Sequence, residues 1–444
     1  MRGSSFILSL VLIVSTLKCA DHIIFHDRYL SFADSHAQKN LMTDEFKAKR
    51  QEKISKLTKE EQYKIKEALL RQVYSSVNEE IIMLRDGRRF EGVKTGEDER
   101  TVTFKQRFGK SGALESRIEK GDIVEEKPLT QGTVNITDDE VLIKKDFPKF
   151  NFNRDGEYSF FSDEDYFRAK AVASLLMGLR DGIQMIFKPV MEDSSDRRIY
   201  VLVFGDGGKF YELCNAVAPY LNGAVGFYSP SSNYLVVYDF FNGKSFREFN
   251  SDLRKVQKGL GQEDAAALQS AQSRFALDLK AENIAVVRHE GSHQLSYDYG
   301  IFKDGKADIW LLEGFAEYGA TPYIGKLRQE HVDWAAQAIK ANRYMPLSRL
   351  FELSNNAAFY QQGPEMTTLA YAESWAYFYY LMQPPYRQKF FDYLTALKKL
   401  DSKKITDRSG LLAEKIGFSL ENLDDQVKDF IQHNSHVKTE EHNS

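Results

Sequence analysis

Arg288-His289-Glu290-Gly291-Ser292-His293-Gln294, followed by Trp310-Leu311-Leu312-Glu313-Gly314-Phe315-Ala316-Glu317-Tyr318, is the stretch whose reading decides the fold. Two histidines four apart on a helix lie about 40° apart round the axis, so both imidazoles reach one point with Glu290 beside them. The pattern reads as a zinc site in need of a third ligand. Glu313 is the candidate, because a carboxylate from a second helix completes a two-His, one-Glu set and leaves a fourth tetrahedral position for water. The chemistry implied is metal-assisted hydrolysis.

Upstream of the motif, Ser251 to Lys280 is charged and Ala-rich and predicts a long helical approach, with Asn283 placed to cap the helix that carries Ile284, Ala285, Val287 and the two histidines. Downstream, apolar and aromatic residues recur at helical spacing from Val332 to Met382, and a helix pair is expected from about Arg387 to Ile431. Ser162 precedes an amphipathic helix bearing Phe167, Val172, Leu175, Leu176, Leu179, Ile183 and Phe187, which Pro189 should end. Ile199 to Phe204 reads as a buried strand, and Gly223 to Tyr238 as two strands joined by a Pro-Ser-Ser-Asn turn. Helices with a small sheet make this domain, 139–432, α+β. The segment Gly226 to Tyr238 supplies either an interior strand or an edge that could hold an extended peptide.

The same residues resemble the gluzincin clan of zinc metallopeptidases, in which about nineteen residues separate the second histidine from the ligand glutamate, as they do between His293 and Glu313 here. The wording His289-Glu290-Gly291-Ser292-His293-Gln294, together with Tyr371-Ala372-Glu373-Ser374-Trp375-Ala376, is similar to the peptidase-MA-like branch of secreted proteins. The resemblance spans roughly Gly156 to Gln432. It implies a zincin-like domain, a small mixed sheet plus a helical lobe, holding one zinc ion through His289, His293 and Glu313. Glu290 would take the proton from the metal-bound water as it attacks the carbonyl of a peptide or protein substrate.

Other positions match the family less fully. Tyr371 falls where related aminopeptidases place the tyrosine that supports the oxyanion, but the Lys-Gly of their Tyr-x-Lys-Gly pattern is replaced by Ala372, Glu373 and Ser374. Glu317 stands one turn beyond Glu313, where thermolysin-like enzymes put an acidic partner for a histidine ligand; an exposed helix glutamate is the alternative. The Gly-x-Met-Glu-Asn signature of the aminopeptidase branch is absent, and Met191-Glu192-Asp193 is no substitute, so exopeptidase specificity is not implied.

The chain has 444 residues and a formal charge of -4, close to balanced for its size, which gives no sign of a nucleic-acid surface or a polybasic membrane patch. Arg2 precedes an apolar run from Phe6 to Leu17, expected to be a signal peptide over residues 1–20. That run is shorter than the roughly 20 residues a spanning helix needs, so no stable membrane insertion is expected and the mature chain would be secreted or periplasmic. Removal of the leader would leave Cys214 alone, without a disulfide partner, as a buried packing cysteine. Residues 21–78 read as a polar lead-in with His22, His26 and His36, then a charged helix opened by a Thr58-x-x-Glu61 capping box. From 79 to 128 the period changes to two, with short strands between Gly-bearing turns, and a small SH3-like barrel is expected whose partner is open. A polar frayed tail is expected over 433–444. Two other functions fit the same residues: a peptidase-like scaffold whose barrel binds a partner at the cell surface, and a zinc hydrolase of a non-peptide amide or ester.

Overall fold

The computed structural model describes residues 51–75, 79–86, 88–108, 112–128, 135–164, 166–192, 198–217, 225–229, 233–239, 250–251, 253–255, 257–258, 261–302, 307–353, 358–359, 362–400 and 407–437. The expected signal peptide, His22, His26 and His36 lie outside the described residues. The chain divides into two compact units, one of Thr43–Ser174 with Arg198–Gly205, the other of Leu175–Arg197 with Asp206–Ser444. The architecture is α+β, mostly helical with small sheets.

In the first unit, α1 (Lys59–Ser75) starts at the predicted capping box: the Thr58 N–H donates to Glu61 Oε2 at 2.8 Å and the Glu61 N–H to Thr58 Oγ1 at 3.1 Å. Five strands follow, β1 (Glu79–Leu84), β2 (Arg89–Glu97), β3 (Thr101–Phe108), β4 (Gly112–Glu119) and β5 (Ile123–Pro128). They form an antiparallel sheet in the order β4-β3-β2-β1-β5 over a core of Ile82, Leu84, Val102, Phe104 and Ile118. Register shifts at Met83/Leu84 and Lys94/Gly96 bend the strands. The closed barrel expected here is corrected to an open sheet: β5 spends its ladder on β1, and among the described residues β4 and β5 do not pair. The sequence reading also missed β4, where only Leu114 and Ile118 of eight residues are large and apolar.

The same unit continues with α2 (Asp138–Asp146), capped by Thr137, and the hairpin of β6 (Asn151–Asp155) and β7 (Tyr158–Ser162). β8 (Ile199–Phe204), predicted as a strand, is buried at every residue and runs parallel to β7. Glu140, fully buried, accepts from the Thr137 N–H at 2.7 Å, from Ser159 Oγ at 2.6 Å and from the Arg154 guanidinium, so its charge is paired. Helix α3 (Tyr166–Phe187) contributes its first residues to this unit and those from Leu175 onward to the other.

In the second unit, α3 stops at Phe187 and gives way to a short 3-10 turn containing Pro189, as the sequence predicts. After α4 (Gly207–Val217) comes a hairpin of β9 (Gly226–Ser229) and β10 (Tyr234–Tyr238). Then follow α5 (Gln262–Asp298), α6 (Ile309–Ala320), α7 (Gln329–Lys340), α8 (Leu347–Glu352), α9 (Pro364–Leu381), α10 (Arg387–Lys399), α11 (Arg408–Ile416) and α12 (Leu420–Asn434). Asn283 caps nothing. Helix α5 runs unbroken for 37 residues, and the Asn283 amide donates instead to Asp239 Oδ1 at 3.2 Å. The helix pair expected after Arg387 is three helices, because Gly417, at φ 89°, ends α11 and Ser419 caps α12 two residues later. The tail is not frayed at its start: α12 includes His433, and Ser435 Oγ and the His436 N–H hold Asp333 at 3.2 and 2.8 Å. Among the described residues no helix is long and apolar enough to cross a membrane.

Helix α6 is buried along its whole length, packed against α5 and α9. Two glycines set how close the helices come. A Cβ at Gly314 would lie 2.5 Å from the Ser374 carbonyl oxygen and 2.9 Å from Phe378 Cβ, and one at Gly291 would lie 2.5 Å from Leu176 Cδ2. Backbone cannot give way as a side chain can, so Gly314→Ala is expected to lower unfolding free energy by about 1–3 kcal/mol. An unchanged denaturant midpoint for that variant would contradict this packing.

Candidate metal centre

Helix α5 projects His289 and His293 from one face, and α6 brings Glu313 to meet them. The two Nε2 atoms are 3.2 Å apart, and each is 3.3 Å from Glu313 Oε2. The three ligand atoms thus mark a nearly equilateral triangle, and all three residues are buried. Ligands at zinc bond lengths of about 2.0–2.1 Å stand about 3.3–3.4 Å apart at tetrahedral angles. The triangle therefore matches three corners of such a tetrahedron, and the group could hold a metal ion. Two imidazoles and one carboxylate suit zinc or another late transition metal better than magnesium or calcium, which favour all-oxygen sets.

Burial opposes ionisation of Glu313, yet His293 and His289 outweigh it and hold the carboxyl well below the usual range. Glu290 is shifted the other way: burial raises it, Glu313 adds to the rise, and the two imidazoles only partly compensate. Glu290 Oε2 accepts the Tyr228 N–H of β9 at 3.1 Å, which orients the carboxyl. Strand and helix are close there, since a Cβ at Gly226 would lie 3.0 Å from Val286 Cγ1 and 3.4 Å from Glu290 Cγ.

One residue of the Gly226 to Tyr238 segment is engaged by the site. Among the described residues β9 pairs only with β10, and the amide of Tyr228 that faces away from β10 is given to Glu290. At that residue the strand holds a carboxylate in place.

A family model described as "Protein of unknown function (DUF1570)" matches residues 283–404. No curated protein matches the chain. The matched span takes in His289, Glu290, His293, Glu313, Glu317 and Tyr371.

Glu317 is not the exposed helix residue that was the alternative reading. It is buried, with Oε1 2.9 Å from His289 Nδ1 and Oε2 3.0 Å from His331 Nε2, and Arg328 pairs with the same carboxylate. Tyr371, on α9, is buried with its ring centroid 6.1 Å from that of His289 and edge-on to Phe359 at 5.6 Å. Its neighbour Glu373 has a different task. Fully buried and raised well above the carboxylate range by burial, it accepts the Met345 N–H with both oxygens at 3.1 Å and so ties down the turn before α8. Cys214 is a buried free thiol pushed up to about 12 by burial, as a packing residue should be.

Arg328, His331 and the Tyr228 amide were not found from the sequence. Tyr228 acts through its backbone, which leaves no trace in residue type. His331 belongs to no spacing pattern with the motif, and only its place near the start of an amphipathic helix marked it.

Proposed function

We propose that this chain is a zinc-dependent hydrolase of peptide bonds. One observation carries the reading: three buried ligand atoms on two helices form a triangle of zinc-site dimensions, with an oriented carboxylate one residue along from the first histidine. A zinc ion held by His289, His293 and Glu313 supplies a Lewis acid for the scissile carbonyl and makes water a nucleophile at neutral pH.

The chain's own groups do the rest. Tyr228 fixes one oxygen of Glu290, which leaves the other to take a proton from the attacking water and pass it to the leaving amine. Glu317 Oε1 lies 2.9 Å from His289 Nδ1, which favours the proton on that nitrogen and leaves Nε2 free to act as the ligand atom. Tyr371, its ring 6.1 Å from that of His289, would be the group that donates to the developing oxyanion. The apolar run from Phe6 to Leu17 fits a leader that directs the enzyme out of the cytoplasm.

The test is digestion of a peptide library by the zinc-loaded protein, with products mapped by mass spectrometry. Cleavage that a chelator abolishes and added zinc restores is expected. A zinc-loaded protein that leaves every peptide intact would rule out this function.

A further inference from the structure

Glu317 does not touch His289 alone. Its second oxygen is engaged by His331 and Arg328, both from the segment around the start of α7. We propose that His331 is a positioning residue for the metal centre, acting through Glu317 to hold the His289 ring in its ligating orientation. The inference rests on the metal-site reading above and extends it to a residue that shares no element with the ligands.

The surroundings of His331 are those of a fixed donor. Its ring stacks on Trp334 at 5.3 Å and meets the edge of Trp375 at 5.6 Å, so the imidazole cannot turn. It is 3% exposed. A carboxylate at Nε2 requires the proton on that nitrogen, and Nδ1, buried without a hydrogen-bond partner, is then the bare acceptor of a neutral ring. Burial, with Arg328 adding to it, holds the imidazole well below its ordinary range and keeps it neutral.

Charge is then divided sensibly. Arg328 balances the Glu317 carboxylate, while His331 contributes direction without a second buried positive charge. With Oε2 pinned from that side, Oε1 is left to face His289 Nδ1. The two atoms are close without the alignment of a hydrogen bond; a carboxylate beside Nδ1 favours the proton on that nitrogen and leaves Nε2 as the metal-binding atom. Trp375 follows Tyr371 by one helical turn on α9, so one helix face lines both the His289 ring and this relay.

Zinc affinity measured by chelator competition on the purified full chain tests the relay without any substrate. His331→Phe keeps an aromatic ring between the tryptophans and removes the donor, and affinity should fall about 10- to 100-fold. His331→Gln, which restores an N–H, should recover part of the loss. If His331 acts through Glu317, the pair Glu317→Gln/His331→Phe should bind zinc no more weakly than Glu317→Gln alone. Wild-type affinity in His331→Phe, or simple additivity in the double variant, would overturn the relay while leaving the metal site standing. A wild-type chain that takes up no zinc would overturn both.

Discussion

Glu290→Gln is expected to keep its metal and to lose about 10²- to 10⁴-fold in peptide hydrolysis. The amide oxygen can still accept the Tyr228 N–H, so the side chain should stay where it is. It supplies none of the three ligand atoms of the triangle, so zinc content should match wild type. What the amide cannot do is receive a proton. Measuring kcat/KM and bound zinc on the same preparation separates the two effects. Turnover within a few-fold of wild type would remove Glu290 from the mechanism, and loss of zinc would show that it supports the ligands instead.

His293→Ala acts on the metal itself. It removes one of the three corners of the triangle. Zinc should be lost on dialysis, with hydrolysis falling to background. Stability gives an independent reading. A wild-type chain in zinc at 100 to 1,000 times Kd gains about 3–4 kcal/mol against unfolding, and the variant should gain almost none. Thermal unfolding with and without zinc checks this. An equal rise in Tm for both proteins would mean that the ion binds elsewhere.

The sequence disclosed the candidate ligands because a helix turns spacing into geometry. Two histidines four positions apart, and a glutamate in a second apolar helix, were enough to locate the triangle and the adjacent Glu290. The strands at 199–204, 226–229 and 234–238 and the capping box at Thr58 were legible for the same reason, since each depends on local pattern. What escaped depends on long-range partners. Glu317 could be read either way until Arg328 and His331 were seen beside it. Asn283 has the composition of a cap, but the helix continues past it and its amide serves Asp239. Closure of the sheet at 79–128 turns on whether two edges meet, which strand propensity does not encode. The hold of β9 on Glu290 runs through a backbone amide that any residue but proline could provide.

Metal stoichiometry tests the central claim most directly. The purified wild-type chain is loaded with zinc, passed through gel filtration and measured by elemental analysis, with His293→Ala carried alongside. One zinc per wild-type chain and none in the variant is the predicted result. A wild-type chain without zinc, or a variant that retains it, would contradict the assignment of His289, His293 and Glu313 as the site.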